Sequence, residues 1–144
     1  MPVVVTSQLN SFLAAGFKTV GVKERIDLPV AATSFNVDTV LPNGAIMLSA
    51  GLVIPATITA VAATHIGFGR RTVTALPNKY LLSAGLTAGS VARVLNFWAT
   101  PLTALEELAI FACNSAGAAS GTIGGGDGRG FVTVNFVYAI PEVL

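Results

Sequence analysis

The feature that most narrows the folds open to this chain is its last alternating run, Phe131-Val132-Thr133-Val134-Asn135-Phe136-Val137-Tyr138-Ala139. Val132, Val134, Phe136 and Tyr138 recur at period two, with a mixed row of Phe131, Thr133, Asn135 and Val137 between them. That is the pattern of a strand with one face in a core. Lying at positions 131–139 of 144, it is expected to pair with strands made much earlier, so the fold closes over long sequence distances. Immediately before it, Gly121 to Gly130 holds six glycines in ten residues. Such a stretch buries too little side chain to offset the entropy of ordering, and it reads as a flexible connection.

Further strands follow from the same period. Phe17 to Val30 carries Lys18, Lys23, Glu24, Arg25 and Asp27, with Val20, Val22 and, after a shift of phase, Ile26 and Leu28 facing inward. It reads as an edge strand, because charges and a nearby proline discourage further pairing. Ser34 to Val40 alternates up to the Pro42-Asn43-Gly44 turn, where Asn and Gly both tolerate positive φ. Ala45 to Leu48 and a second brief piece between Gly51 and Pro55 are short extended segments. Thr57 to Phe68 predicts one interior strand, with small or apolar residues on both faces. Thr72 to Leu82 reads as strand, turn and a short strand over Tyr80-Leu81-Leu82, and Ser90 to Ala99 as another strand. Glu107 to Asn114 suits a buried strand after a short turn or helix at Pro101 to Leu105.

The prediction is therefore an all-β chain of about eight strands, folded as a two-sheet β-sandwich that is jelly-roll-like. Residues 1–16, with the β-prone triplet Val3-Val4-Val5, form an extended N-terminal arm that is free to dock on another subunit; residues 17–144 form a single domain. At this size a chain buries roughly two-thirds of its unfolded surface and needs no disulfide or metal. The single cysteine, Cys113, reads as a small buried hydrophobe.

Charge bounds the function. Only 10% of residues are charged, against about 25% in typical soluble domains, while 53% are hydrophobic. Ions this scarce leave a surface made of Thr, Ser, Asn, Gly and Ala, suited to being pressed against neighbours, where interfaces between identical subunits are more apolar than ordinary surface. The stretch Thr39 to Gly69 carries no formal charge, but Pro42, Gly44, Gly51, Pro55 and His65 interrupt it, so no membrane-spanning helix is expected. Met1 to Gln8 has no basic leader, which argues against a secretory signal. A net charge of +1 with scattered basic residues gives no nucleic-acid footprint.

No reactive constellation emerges. His65 is the only histidine and sits mid-strand, where a packed or hydrogen-bonded ring is expected. The Gly-x-Ser-x-Gly elbow is absent, and one histidine with scattered carboxylates gives no metal-ligand spacing. Glu106-Glu107, the only adjacent carboxylates, face opposite sides of a strand and make no acid/base dyad. Gly124 to Gly130 lacks Gly-Lys-Ser/Thr and precedes a strand, where a phosphate loop precedes a helix. The chain is read as a non-enzyme with no catalytic, cofactor or metal site. Asp127 and Arg129 are read as contacts to a neighbouring subunit, and Arg70-Arg71 as an inter-subunit ion-pair site with Glu106, Glu107 or Asp127 as partners.

The order of an Ile-Thr-Ala run leading to Ile66-Gly67-Phe68-Gly69, then Lys79-Tyr80-Leu81, Leu86-Thr87-Ala88-Gly89 and a Gly-rich segment feeding a strand that ends in Tyr138 resembles small virion proteins of tailed bacteriophages. The nearest in kind are β-sandwich head decoration, or cement, proteins, and the likeness runs over roughly Asp38 to Tyr138. It implies a homo-oligomer, a trimer, on the capsid exterior that binds the major capsid protein and clamps neighbouring subunits, with no nucleic-acid or membrane partner. The expected contacts are Val3, Val4, Val5, Lys23, Arg25, Arg70, Arg71, Asp127 and Arg129. The alternative is a carbohydrate- or receptor-binding module of a fibre or tail tip, with Trp98, Tyr80 and Tyr138 as a stacking platform.

Overall fold

The computed structural model describes residues 16–55, 58–72, 74–86, 91–94, 101–126 and 130–141, with only the backbone described at 91–94. Ten strands are present among these residues: β1 (Phe17–Asp27), β2 (Ser34–Leu41), β3 (Ile46–Val53), β4 (Thr59–Val61), β5 (His65–Arg70), β6 (Leu76–Leu82), β7 (Val91–Val94), β8 (Glu106–Cys113), β9 (Thr122–Gly124) and β10 (Phe131–Pro141). No helix occurs among the described residues. One four-stranded sheet has the order β1-β10-β3-β7, a second the order β2-β8-β5-β6, and β4 and β9 form a two-stranded ribbon.

The all-β, two-sheet sandwich predicted from the alternation is what forms. β10 lies between β1 and β3, antiparallel to both, so the late strand does pair with early ones. Its inward row meets that of β5 and β8 across the layer. Val132 and Val134 are fully buried, and Phe136 packs on Phe68 of the other sheet at 5.4 Å between ring centroids. Phe68 also meets Tyr80 at 5.8 Å, and both contacts are tilted, as aromatic quadrupoles prefer. One continuous core takes residues from both sheets, among them Ile26, Leu52, Ile66, Leu108 and Ile110.

Chain order winds between the sheets. β1, β3, β7 and β10 belong to the first, β2, β5, β6 and β8 to the second, and only β5 to β6 stays within one sheet as a neighbouring pair. The register places two ends. One, here the distal end, holds the described connecting residues 28–33, 54–55, 58–64, 83–86 and 114–126; the proximal end holds 42–45, 71–72, 74–75 and 101–105.

Several local expectations are corrected. β1 runs in unbroken register with β10 from Phe17↔Pro141 to Asp27↔Phe131. No shift of phase occurs: Glu24 simply takes the inward position between Val22 and Ile26. β3 passes straight through Gly51 as one strand. The alternation from Thr57 to Phe68 breaks into β4 and β5 at Ala62, which has φ 59°. The Ser120 hydroxyl donates to the Ala62 carbonyl at 2.9 Å, and a side chain at Gly121 would collide with the Val61 and Ala62 backbone. β7 is Val91–Val94, the rest of the 90–99 prediction lying outside the described residues. Pro101 to Leu105 is not helical, and the strand after it is β8.

The glycine stretch is not loose where it is described. Ile123 is fully buried and exchanges two backbone hydrogen bonds with Ala32, each 3.0 Å. Gly125 donates to Leu28 and Leu28 to Gly130, while Gly125 and Gly130 approach so closely that a side chain on either would strike backbone. The glycines are there because three backbones meet, a use of the missing Cβ other than flexibility.

Candidate interaction surfaces

A cavity of about 510 Å³ with charged walls lies at the proximal end, between the start of β3, the ends of β5 and β6 and the 101–105 segment. Glu106 projects into it from the core face of β8, only 3% exposed. One of its carboxylate oxygens accepts from Lys79 Nζ at 2.6 Å and the other from the Tyr80 hydroxyl. Burial, then the hydrogen bond and charge of Glu106, push the Tyr80 phenol far above its usual range. Tyr80 therefore stays protonated. Carboxylate, ammonium and phenol satisfy one another, which closes the mouth of the sandwich but leaves no free base or nucleophile. Arg70 forms part of the wall, and its Nε donates to the Thr74 carbonyl at 3.1 Å.

Other reactive side chains are equally spoken for. His65 opens β5, opposite Cys113, and its Nδ1 lies 2.7 Å from the Thr64 hydroxyl. Cys113 is fully buried against Gly67 on the outer face of the second sheet, and burial pushes its thiol up, so it is the small buried hydrophobe expected. Among the described residues no three of His, Cys, Asp and Glu cluster as metal ligands would. No described helix is long and apolar enough to cross a membrane.

The predicted contact residues do not share one surface. Lys23 and Arg25 lie on the outward row of β1, the edge of the first sheet. Arg25 binds Asp27 at 2.8 Å and covers the Phe131 ring at 3.9 Å. Arg70 and Arg71 sit at the opposite end on the second sheet. Arg71 pairs with Glu107 within the chain, while Glu106 pairs with Lys79, so both carboxylates offered as partners across an interface have intramolecular ones. Val3, Val4, Val5, Asp127 and Arg129 lie outside the described residues.

Two functional carboxylates escaped the sequence reading. Glu106 was weighed as half of a dyad and as a partner for Arg70-Arg71 across an interface, not as the centre of a buried cluster. Glu24 was counted as surface, yet its carboxylate takes the backbone N–H groups of Asp38 and Thr39, each at 2.9 Å, and the Thr39 hydroxyl. These donors belong to β2 where its pairing with β8 is interrupted between Asn36 and Val40. Glu24 thus ties the edges of the two sheets together. The available signal was its inward parity between Val22 and Ile26.

No family model matches the chain, and no curated protein matches it in sequence. Solved structures do match in shape. A chain in the acidic stable capsid structure of Helicobacter pylori bacteriophage KHP30 superposes with a TM-score of 0.54 at 14% identity, over 89% of this chain and 96% of that one. A chain in the capsid of Ralstonia phage GP4 does so with a TM-score of 0.50 at 17% identity, over 88% of this chain and 86% of that one. At these identities the likeness is one of fold: this chain has the β-sandwich found in phage capsid structures.

Proposed function

We propose that the chain is a non-enzymatic structural component of a bacteriophage capsid. The observation that carries this reading is the shared fold over nearly the full length of both chains in the KHP30 capsid comparison. The matched chain is about the size of this one, as expected of a small subunit that is all sandwich. The low charge content and the internally satisfied Glu106 cluster support work done by buried area and shape.

Within that reading the role is decoration or cement on the capsid exterior, as a homotrimer that clamps adjacent copies of the major capsid protein. The strand orders β1-β10-β3-β7 and β2-β8-β5-β6 support a jelly roll, two interlocked Greek keys with β4 and β9 added. The open edge of β1, with Lys23 and Arg25 on its outer row, and the arm bearing Val3, Val4 and Val5 are the parts assigned to the shell; Arg70, Arg71, Asp127 and Arg129 are secondary contacts. For a fibre-tip sugar site, Tyr80 and Tyr138 are buried at 2% and 8% exposure and offer no stacking face, and Trp98 lies outside the described residues.

Cryo-electron microscopy with mass spectrometry of particles made by the genome encoding this chain tests the proposal. Stoichiometric copies on the outside of the head are expected. Particles lacking the chain, or carrying it only in the tail, refute it.

A further inference from the structure

The cavity at the proximal end has two kinds of wall. One is cationic, with Arg70 and Lys79 standing beside Glu106 and Tyr80. The other is apolar: Ala45 and Met47 come from the first sheet, Leu102 and Leu105 from the 101–105 segment. That segment is pinned by a reciprocal backbone pair, Gly44 donating to the Leu102 carbonyl at 2.8 Å and Leu102 to the Ala45 carbonyl at 2.9 Å. Leu105 is nevertheless 57% exposed.

The charges of the wall do not cancel among the described residues. Lys79 and Glu106 neutralise each other at 2.6 Å, and both carboxylate oxygens of Glu106 are taken. Arg70 is left over. Its Nε donates to the Thr74 carbonyl at 3.1 Å, while the described carboxylates that pair with arginine are Asp27, with Arg25, and Glu107, with Arg71. A guanidinium holds its charge at any physiological pH and offers its donors as a planar fork. Half-buried beside an apolar wall, Arg70 suits a carboxylate that has an apolar residue close to it.

The described chain stops beside this cavity. β10 ends at Pro141, whose ring lies 3.4 Å from where a Cβ on Gly44 would stand, and Gly44 adjoins Ala45 of the wall. Glu142, Val143 and Leu144 follow in the sequence, an acid and two apolar residues outside the described residues. Three extended residues reach roughly 10 Å. The even positions of β10 from Val132 to Tyr138 form its buried row, so an extended continuation sets Glu142 and Leu144 on the side that faces the space between the sheets. Residues 1–15 include no Asp or Glu, so charge favours the C-terminal residues over the N-terminal arm as the occupant.

We infer that Glu142-Val143-Leu144 folds back as a strap over the proximal cavity of its own chain, the Glu142 carboxylate pairing with Arg70 and Leu144 lying against the apolar wall. The strap brings the missing negative charge to a cation that is only partly hydrated, and it covers apolar surface that the 101–105 segment leaves open. A competing cation is Lys18, opposite Ile140 on β1 at the same end. Lys18 is exposed and lines no cavity wall that would receive the leucine.

The test uses the full-length chain carrying Ala104→Cys, in the cavity wall, and Leu144→Cys, with the buried Cys113 left in place. Equilibration in a glutathione redox buffer, followed by acid quench and mass spectrometry, gives the effective concentration of the two introduced thiols for each other. A disulfide within one chain is expected. Arg70→Gln and Glu142→Gln should each lower the effective concentration on the order of fivefold, the two together no further than either alone, and Lys18→Gln should leave it unchanged. Thermal unfolding checks that each variant folds, and Glu142→Gln reads the pair without altering the sandwich. No disulfide within the chain, or one insensitive to Glu142→Gln, would overturn the inference. A loss caused by Lys18→Gln in place of Arg70→Gln would move the strap to the β1 edge and overturn it too, as would a disulfide formed only between two chains.

Discussion

Glu106 and Glu107 are adjacent on β8 and face opposite sides, so the strand carries its own matched comparison of a buried and a surface ion pair. Glu106 and Lys79 have side chains 4% and 19% exposed, whereas Glu107 and Arg71 are 35% and 41% exposed. Glu106→Ala removes the acceptor of the hydrogen bond that the buried Tyr80 hydroxyl donates, which costs about 1–3 kcal/mol. It also strands the Lys79 ammonium. Breaking a fully buried pair costs about 3–5 kcal/mol, and the partial access of Lys79 to water brings the total expected to about 3 kcal/mol. Glu107→Ala should cost under about 1 kcal/mol, the range of exposed pairs. Urea unfolding at 25 °C reads both as shifts in midpoint at constant slope. Raising ionic strength from about 0.05 to 0.5 M should erase the Glu107 effect and spare most of the Glu106 effect. Lys79→Met combined with Glu106→Leu should recover most of the loss, because it removes the buried charges together. Equal costs at the two positions, or a Glu106→Ala loss below about 1 kcal/mol, would refute the claim that this cluster closes the sandwich.

Both residues whose ionisation burial disfavours lose stability in base. Tyr80 and Cys113 have folded-state pKa values above their unfolded ones, so their contribution is complete at neutral pH and declines as pH rises past the unfolded values, near 8.5 for the thiol and near 10 for the phenol. Under reducing conditions the unfolding midpoint should fall above pH about 8.5, and Tyr80→Phe should remove the steeper part beyond pH about 10. Glu24→Ala uncaps Asp38 and Thr39 and should cost about 1–2 kcal/mol, with hydrogen exchange speeding up at those two amides while Ala109 in the interior strand stays protected. Ala62→Gly relieves the left-handed strain and should be neutral to stabilising by up to about 1 kcal/mol; a clear loss of stability would mean the turn is not strained.

Legibility in the sequence followed periodicity. β10, β2 and β8 were readable because bulky apolar residues alternate with polar ones, or stand unbroken where both faces are covered. The break at Ala62 was not, since Thr57 to Phe68 alternates through alanines and threonines that fit a strand and a turn equally well. What fixes the break lies in Ser120 and Gly121, far away in sequence. Glycine was recognised but misread at Gly125 and Gly130, where composition cannot distinguish a loose connection from backbones in contact. Gly67 and Gly69 make the same point: Pro77 and the residues beside it cross the outer face of β5 where those glycines leave room. The arginine pair suggested an interface because nothing in the sequence brings Arg71 to Glu107, a contact made only when β5 and β8 lie side by side.

The low charge content reads differently once its placement is known. Spread evenly, so few ions would leave the whole exterior weakly hydrated and prone to indiscriminate association. The edge strand β1 carries Lys18, Lys23, Glu24, Arg25 and Asp27, which discourage unplanned strand pairing. At the distal end stand β4 and β9, the two strands outside both four-stranded sheets. Both are inserted in connections that cross between those sheets, β3 to β5 and β8 to β10. The additions bring a strained alanine and tightly opposed glycines, features that cost stability and that a sandwich closing only on itself does not require.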